Sequence, residues 1–182
     1  MKENKIRILG ISGSLRKSSS SSAVLRHVGE LMPEQVEFKI YEDLEKIPAF
    51  DDGRLILVPV LNFIKQISEA DAVFFCIPEY AFGVPGALKN ALDWTVSTTT
   101  FSGKPVALIT AASGGDKAHA AMSLTLTALG TKISGNTQLL LSYIRTKLDE
   151  KGRLKDEAAL KSTIEVINAL IQTIAMTAQA ND

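Results

Sequence analysis

Hydroxyl side chains and one arginine are concentrated just after the first apolar run of the chain. The segment reads Gly10-Ile11-Ser12-Gly13-Ser14-Leu15-Arg16-Lys17 and continues with serines 18–22. A helical pattern follows at once, and a helix N-terminus offers unpaired N–H groups and about half a positive charge. Serine hydroxyls add donors, and a guanidinium binds phosphate through two nitrogens. This composition favours phosphate binding, with a helix-capping, flexible serine run as the alternative.

A second segment with binding potential follows the third apolar run. Tyr80 and Phe82 are its aromatic residues, and Gly83 and Pro85 favour turns, so side chains and backbone amides together could contact a flat heteroaromatic ligand. Taken singly, both aromatic residues are also consistent with ordinary packing. A third segment, Ala112-Ser113-Gly114-Gly115, offers a hydroxyl and a close backbone approach after the fourth run.

Several well-known catalytic motifs are absent from the sequence. Neither GxGxxG after the first strand nor GxxxxGK[ST] anywhere is present, which disfavours a dinucleotide-binding Rossmann loop and a Walker P-loop. Ser14 stands where a GxSxG nucleophile elbow requires its closing glycine. His27 and His119 are the only histidines and Cys76 the only cysteine, so we expect no metal site. Cys76, inside an apolar run, is interpreted as a core residue.

Composition limits the size of the protein and its partners. The 182 residues, 46% hydrophobic and 22% charged, predict one globular domain over residues 1–182. Twenty basic residues balance twenty acidic ones, and a neutral chain has no long-range field for polyanions, so neither nucleic acid nor a membrane is an expected partner. The N-terminus lacks a signal-peptide pattern and the one cysteine cannot form an internal disulfide, so the expected location is the cytoplasm.

Five apolar, β-branched runs alternate with helical windows, which is typical of a parallel sheet covered on both faces. The predicted strands are 6–11, 36–41, 72–77, 106–111 and 139–144. The predicted helices lie near 24–32, 60–67, 85–94, 117–129 and 160–174, with Pro85 starting the third and 42–57 forming a long surface connection. In a doubly wound sheet of order 2-1-3-4-5, the loops after strands one and three flank one crevice.

Two longer motifs stand out in the sequence. They are Gly13-Ser14-Leu15-Arg16 followed by Ser19, and Pro78-Glu79-Tyr80 followed by Pro85-Gly86-Ala87-Leu88-Lys89-Asn90-Ala91-Leu92-Asp93-Trp94. Both resemble the NADPH-dependent FMN reductase family, which includes quinone, chromate and azo-dye reductases. The resemblance implies a three-layer α/β flavodoxin-like fold with a five-stranded parallel sheet of order 2-1-3-4-5. The sequence departs from the family at Ser21 and Ala81, where asparagine is usual, and after Gly115, where the family continues with further glycines.

The same resemblance implies an FMN-dependent enzyme that uses NADPH or NADH and a small second acceptor: a quinone, free flavin, azo compound or metal oxyanion. The residues implied to hold the FMN phosphate are Ser14, Arg16, Ser19, Ser20 and Ser21. The isoalloxazine ring would contact Pro78, Glu79 and Tyr80, with Ala81 and Phe82 of the same loop and Ser113 of the third segment. No catalytic side chain is expected, because the cofactor supplies the chemistry.

Two other functions and an oligomeric state complete the predictions. An FMN-binding electron carrier without direct nicotinamide use is disfavoured by the neutral charge and the lack of an acidic cluster. A flavin-free interaction protein is suggested by the changes at Ser21 and Ala81. The resemblance implies a homodimer or tetramer, and the uncharged segment 94–101, bracketed by Trp94 and Phe101, is predicted as a contact surface, with a packed internal loop as the alternative.

Overall fold

A five-stranded parallel sheet forms the centre of the computed structural model, which describes residues 5–16, 18–53 and 57–179. The strands are β1 (Ile6–Ser12), β2 (Val36–Tyr41), β3 (Ala72–Ile77), β4 (Val106–Ala111) and β5 (Gln138–Leu141). Their order in the sheet is β2-β1-β3-β4-β5, and every pairing is parallel. The predicted order is confirmed, and the first four strands are correct to within one residue.

Helices cover both faces of this sheet. They are α1 (Ser20–Leu31), α2 (Val58–Glu69), α3 (Gly86–Asp93), α4 (Asp116–Ala128), α5 (Ile144–Lys147) and α6 (Glu157–Gln179), with 3-10 turns at Leu44–Lys46 and Gly135–Thr137. One apolar core lies between the sheet and α2, α3 and α4, and a second lies under α1 and α6. The central strands β3 and β4 are buried along their whole length, because both faces are covered.

Alternate side chains of β3 enter opposite cores. Val73, Phe75 and Ile77 belong to the first core, whereas Phe74 and Cys76 belong to the second. Cys76 has no exposed surface, and burial raises the pKa of its thiol. The interpretation of Cys76 as a core residue is therefore confirmed.

Two predicted element boundaries are wrong. The fifth strand ends at Leu141 and not at residue 144, because the N–H groups of Tyr143 and Ile144 donate to Ser113 and Ala112 at 3.1 Å and turn the chain into α5. Pro85 has an extended ψ of 129°, so α3 begins one residue later at Gly86. The predicted connection 42–57 carries the turn Leu44–Lys46, and its residues 54–56 lie outside the described part of the chain.

Trp94 and Phe101 are packed inside the protein, so the prediction that they form a contact surface is wrong. Their side chains are only 4% and 2% exposed. The Trp94 Nε1–H donates to the carbonyl of Pro48 at 2.9 Å, and the Phe101 ring lies 6.2 Å from that of Phe75. The alternative is correct for these two side chains, which belong to the first apolar core of their own chain, whereas Val96 between them is exposed.

Helix α3 also fixes the segment that follows β2. The Asn90 side chain donates to the carbonyl of Pro48 at 2.8 Å and accepts the N–H of Phe50 at 2.8 Å. Trp94, the residue directly after α3, donates to the same Pro48 carbonyl. These two residues of the second motif thus have a structural role, since they hold residues 48–50 against the helix.

Candidate functional site

The carboxyl ends of β1, β3 and β4 border a cavity of about 170 Å³, called the site cavity below. Parallel strands of order 2-1-3-4-5 place these loops side by side, as the sequence predicted. Most of the predicted site residues line it: Arg16, Ser19, Ser20, Ser21, Pro78, Glu79, Tyr80 and Ser113. Ser14, Ala81 and Phe82 are not part of the lining.

The serine run forms a hydrogen-bonded network at the N-terminus of α1. Ser19 is the N-cap, and its hydroxyl accepts the Ser22 N–H at 3.1 Å and donates to the Ser22 hydroxyl at 2.7 Å. The Ser21 hydroxyl lies 3.2 Å from that of Ser19, and the Ser12 hydroxyl lies 2.8 Å from that of Ser22. Ser19 and Ser21 are buried. Their hydroxyls therefore shape the loop, while the first N–H groups of α1 have no acceptor within the helix.

Ser14 connects two of the loops around the cavity. Its hydroxyl accepts the Arg16 N–H at 3.2 Å and lies 3.1 Å from the hydroxyl of Tyr80. Ser14 is 7% exposed, whereas the Arg16 side chain is exposed and makes no ion pair with any described residue. Ser14 thus holds the loop in place, and Arg16 is available to an anion.

The Glu79 carboxylate binds the N-terminus of α4. It accepts the Gly115 N–H at 3.2 Å through one oxygen and the Ala118 N–H at 2.9 Å through the other. A carboxylate is favourable at this position because the helix dipole is positive at its N-terminus. Glu79 therefore joins the β3 loop to the β4 loop, and both of its oxygens are engaged.

Gly115 is required between β4 and α4. Its φ is +108°, and a Cβ built there would lie 2.8 Å from Leu140 Cδ1 and 3.0 Å from Thr110 Cγ2. Behind this turn, His119 Nδ1 lies 2.9 Å from the Thr110 hydroxyl, and burial lowers the pKa of His119. A neutral imidazole therefore packs behind the β4 loop at neutral pH.

The turn after β3 adopts an unusual backbone conformation. Ala81 and Phe82 have φ of +48° and +59°, and Tyr80 and Gly83 exchange backbone hydrogen bonds of 3.2 and 2.9 Å across them. Paired positive φ values are typical of type I′ turns, which favour asparagine and glycine. Side chains with a Cβ cost about 1–2 kcal/mol each in this conformation.

Arg145 is a lining residue that the sequence analysis missed. It belongs to the short helix α5, next to Ile144, which also lines the cavity. The sequence does place a basic residue directly after the fifth apolar run. Because the predicted strand extended to residue 144, the loop that follows β5 was not considered as part of the site. Arg16 and Arg145 are the cations of the lining, and Glu79, the acidic residue there, already binds two N–H groups, so the lining favours an anionic ligand.

Comparison with known proteins identifies the family. The model of the family described as NADPH-dependent FMN reductase matches residues 6–146. The chain belongs to this family. An NAD(P)H-dependent FMN reductase of Pseudomonas aeruginosa is 34% identical, over 91% of this chain and 93% of its own length. A quinone reductase of Escherichia coli K12 is 29% identical over 86% and 88% of the two chains.

A solved structure of similar fold is the flavoenzyme NAD(P)H:(acceptor) oxidoreductase of Paracoccus denitrificans. It superposes with a TM-score of 0.82, covers 94% of this chain and 98% of its own, and is 24% identical. Membership in the NADPH-dependent FMN reductase family confirms the predicted fold class, activity and cofactor: the chain is an FMN-dependent NAD(P)H oxidoreductase. This activity excludes the two alternatives predicted from the sequence, an electron carrier without nicotinamide use and a flavin-free interaction protein.

The residues of the site cavity fit the FMN of this family. A helix N-terminus with neighbouring hydroxyls and an exposed arginine suits a phosphate dianion. The β3 and β4 loops offer Pro78, Tyr80 and the backbone at Ser113 and Gly114 to a planar ring. Among the described residues, no cluster of His, Cys, Asp or Glu is placed to bind a metal ion, and no helix has the length and apolarity to cross a bilayer.

Proposed function

We propose that the chain passes electrons from NADPH or NADH to a small second acceptor, with quinones as the favoured class. The observation that carries this proposal is the meeting of the α1 N-terminus, Arg16 and the β3 and β4 loops around one cavity. Free flavins, azo compounds and metal oxyanions are further acceptors to be compared. Quinones come first because the Escherichia coli relative is named a quinone reductase.

The phosphate of FMN would be held at the α1 end of the site cavity. Arg16 supplies the charge, and the first turn of α1, with Ser19, Ser20 and Ser21, supplies N–H and hydroxyl donors. Ser14 supports this end from beneath the loop through its bonds to Arg16 and Tyr80. Because Ser19 and Ser21 hydroxyls already bond neighbouring serines, backbone N–H groups would make most of the contacts.

The isoalloxazine ring would lie between the β3 and β4 loops. Pro78 and Tyr80 would line one side and Ser113 the other, while Glu79 holds the two loops together through α4. The backbone of the Ala81–Phe82 turn would stand at the edge of the ring. When bound, FMN supplies hydride chemistry, so that NAD(P)H, a proton and an oxidised acceptor give NAD(P)⁺ and a two-electron-reduced acceptor. The side chains bind, orient and exclude water.

The proposal also covers the domain organisation, the cellular location and the oligomeric state of the protein. Residues 1–182 form one domain, which is supported by a single sheet whose two cores draw on helices from both ends of the chain. The protein works in the cytoplasm, where its buried cysteine stays reduced. It assembles as a homodimer or tetramer, for which the exposed Val58 and Leu61 on α2 provide apolar surface.

Anaerobic spectroscopy of the purified protein tests the proposed function. The flavin absorbance should be present after purification, or restored by added FMN, and NADPH or NADH should bleach it. Addition of a quinone should then restore the colour and produce hydroquinone. A protein that binds FMN but is not bleached by either nicotinamide would contradict the proposal, as would one that fails to bind FMN.

A further inference from the structure

All non-glycine residues with a left-handed backbone in the described chain lie at the rim of the site cavity. They are Ala81, Phe82 and Tyr143, with φ between +48° and +59°. Ala81 and Phe82 follow the lining residue Tyr80, and Tyr143 precedes the lining residue Ile144. Strained backbone that clusters at one site points to function there, because the surrounding structure must hold it against its preference.

Two of these three residues carry aromatic rings that point into solvent. Phe82 is 80% exposed and Tyr143 is 72% exposed. Neither ring packs against another aromatic ring of the described residues. The two rings therefore contribute little to the packing of their own chain. Packing does not explain why bulky residues occupy left-handed positions that asparagine or glycine would adopt with less backbone strain.

The sheet order places Phe82 and Tyr143 on the two sides of the β4 loop, which lines the site cavity. β4 lies between β3 and β5, Phe82 belongs to the loop after β3, and Tyr143 follows β5. The Tyr80–Gly83 hydrogen bonds fix the first residue. The bond from the Tyr143 N–H to the Ser113 carbonyl, 3.1 Å long, ties the second to the β4 loop itself. The backbones of both residues are thus held by hydrogen bonds next to residues that line the site cavity.

We propose that Phe82 and Tyr143 determine acceptor specificity by stacking on planar aromatic electron acceptors at the two sides of the site cavity. This inference rests on the proposed function, because it concerns the second substrate of that reaction. Aromatic rings attract one another through offset-stacked or edge-to-face contacts, so the pair favours a flat aromatic acceptor over a compact acceptor that has no aromatic ring. Tyrosine and phenylalanine lose little conformational entropy when they stack, which suits a rim that binds and releases its ligand.

Steady-state kinetics with two acceptors of different shape test the proposal. The planar acceptor is 1,4-naphthoquinone and the compact one is hexacyanoferrate(III), each reduced by NADPH or NADH with the FMN-loaded protein. The informative variants are Phe82→Asn and Tyr143→Asn, because asparagine tolerates a left-handed backbone and leaves the turn intact. In each, the ratio of kcat/KM for naphthoquinone to kcat/KM for hexacyanoferrate(III) should fall about tenfold.

Conservative and remote variants provide the controls. Phe82→Tyr and Tyr143→Phe keep an aromatic face and should restore the ratio to within about twofold of the parent protein. Leu124→Asn removes a side chain of α4 that is 72% exposed and is not part of the site cavity, and it should leave the ratio unchanged. Asparagine variants that keep the parental ratio would overturn the proposal.

A binding measurement separates stacking from turnover. The planar compound 2-naphthol, which the enzyme does not reduce, is titrated by calorimetry into the FMN-loaded protein, and Phe82→Asn or Tyr143→Asn should raise its Kd about fivefold. Light scattering of the same variants must show an unchanged mass; dissociation of an oligomer would assign the rings to a second copy of the chain and overturn the proposal. If the parent protein reduces neither acceptor, the proposed function is contradicted. The 2-naphthol titration still shows, in that case, whether Phe82 and Tyr143 bind a planar aromatic compound.

Discussion

The Ser14 hydroxyl lies 3.1 Å from the Tyr80 hydroxyl and joins two loops that are 66 residues apart in sequence. Ser14 belongs to the loop before α1, and Tyr80 belongs to the loop after β3 and lines the site cavity. This one contact couples the position of the serine-rich loop before α1 to that of the loop after β3. The two halves of the site are therefore held as one unit.

Loss of this contact should weaken FMN binding. Tyr80→Phe removes one hydrogen bond of about 1 kcal/mol, so the Kd for FMN should rise about fivefold in a fluorescence titration. Tyr143→Phe is the matched control, since it deletes the hydroxyl of an exposed tyrosine outside the cavity lining and should leave the Kd for FMN unchanged. Equal affinities of Tyr80→Phe and the parent protein would show that the contact does not position the loops.

Arg16→Ala should weaken FMN binding by about 1.5–3 kcal/mol, because it removes a charge-assisted contact to the phosphate. Riboflavin, which lacks the phosphate, should bind almost as before. Arg145→Ala is the comparison, because Arg145 lines the same cavity from the short helix α5 and not from the loop before α1. It should change the ratio of FMN to riboflavin affinity less than Arg16→Ala does. Equal losses of FMN and riboflavin affinity in Arg16→Ala would show that Arg16 is not a phosphate ligand.

Glu79→Ala should lower the free energy of unfolding by about 1–2 kcal/mol, since two N–H groups at the start of α4 lose their acceptor. Chemical denaturation measures this change. Asp116→Asn is the control: Asp116 also lies in the first turn of α4, but it is exposed, and among the described residues its ion pair is with the adjacent Lys117. That substitution should have a much smaller effect. A Glu79→Ala protein as stable as the parent would mean that water replaces the carboxylate at no cost.

His27 should make the stability of the protein depend on pH below about 6.5. Its Nδ1 accepts the Leu154 N–H at 3.0 Å, and burial, as the largest cause, lowers the pKa of His27 below the ordinary value of 6.5. The unfolded chain then binds a proton more readily than the folded one. The contribution of His27 is therefore complete above pH 6.5 and is lost as the pH falls from there toward the lower folded-state pKa.

Denaturant titrations at several pH values measure this effect. His27→Gln keeps a potential acceptor but does not titrate, so its stability should decline less steeply below pH 6.5 than that of the parent. His119, whose pKa burial also lowers, adds a slope of the same sign. His27→Gln combined with His119→Gln should therefore flatten the profile further. A parental slope in the single variant would contradict the role of the bond between His27 and Leu154.

Cys76→Ser should lower stability by about 1–3 kcal/mol while turnover stays within about threefold, because a hydroxyl enters an apolar core. Burial raises the pKa of the thiol, so a disulfide exchange reagent should not react with the native parent protein. Reaction should begin only when the protein unfolds. A folded, FMN-loaded Cys76→Ser protein that cannot be reduced by NADPH or NADH would contradict the structural role of this residue.

The sequence alone determined the sheet and the location of the serine-rich loop that we propose to bind the FMN phosphate. Runs such as 72–77 and 106–111 are apolar throughout, and only strands covered on both faces tolerate this composition, so their order along the chain predicts a parallel sheet. The serine-rich segment with Arg16 was recognisable because its residues are neighbours in sequence and precede a helix. The strand positions and the serine-rich loop can be predicted from residues that are close together in the sequence, because neither prediction requires contacts between distant residues.

Only the tertiary structure decided how the loops are joined and which aromatic residues are exposed. Glu79 bonds Ala118 and Trp94 bonds Pro48 across 39 and 46 residues, and no local pattern specifies either pair. Trp94 and Phe101 looked like surface residues in an uncharged segment but are buried, whereas Phe82 looked like a ring contact and points into solvent. Burial depends on what the rest of the chain packs against a side chain, and that is settled by contacts between distant elements.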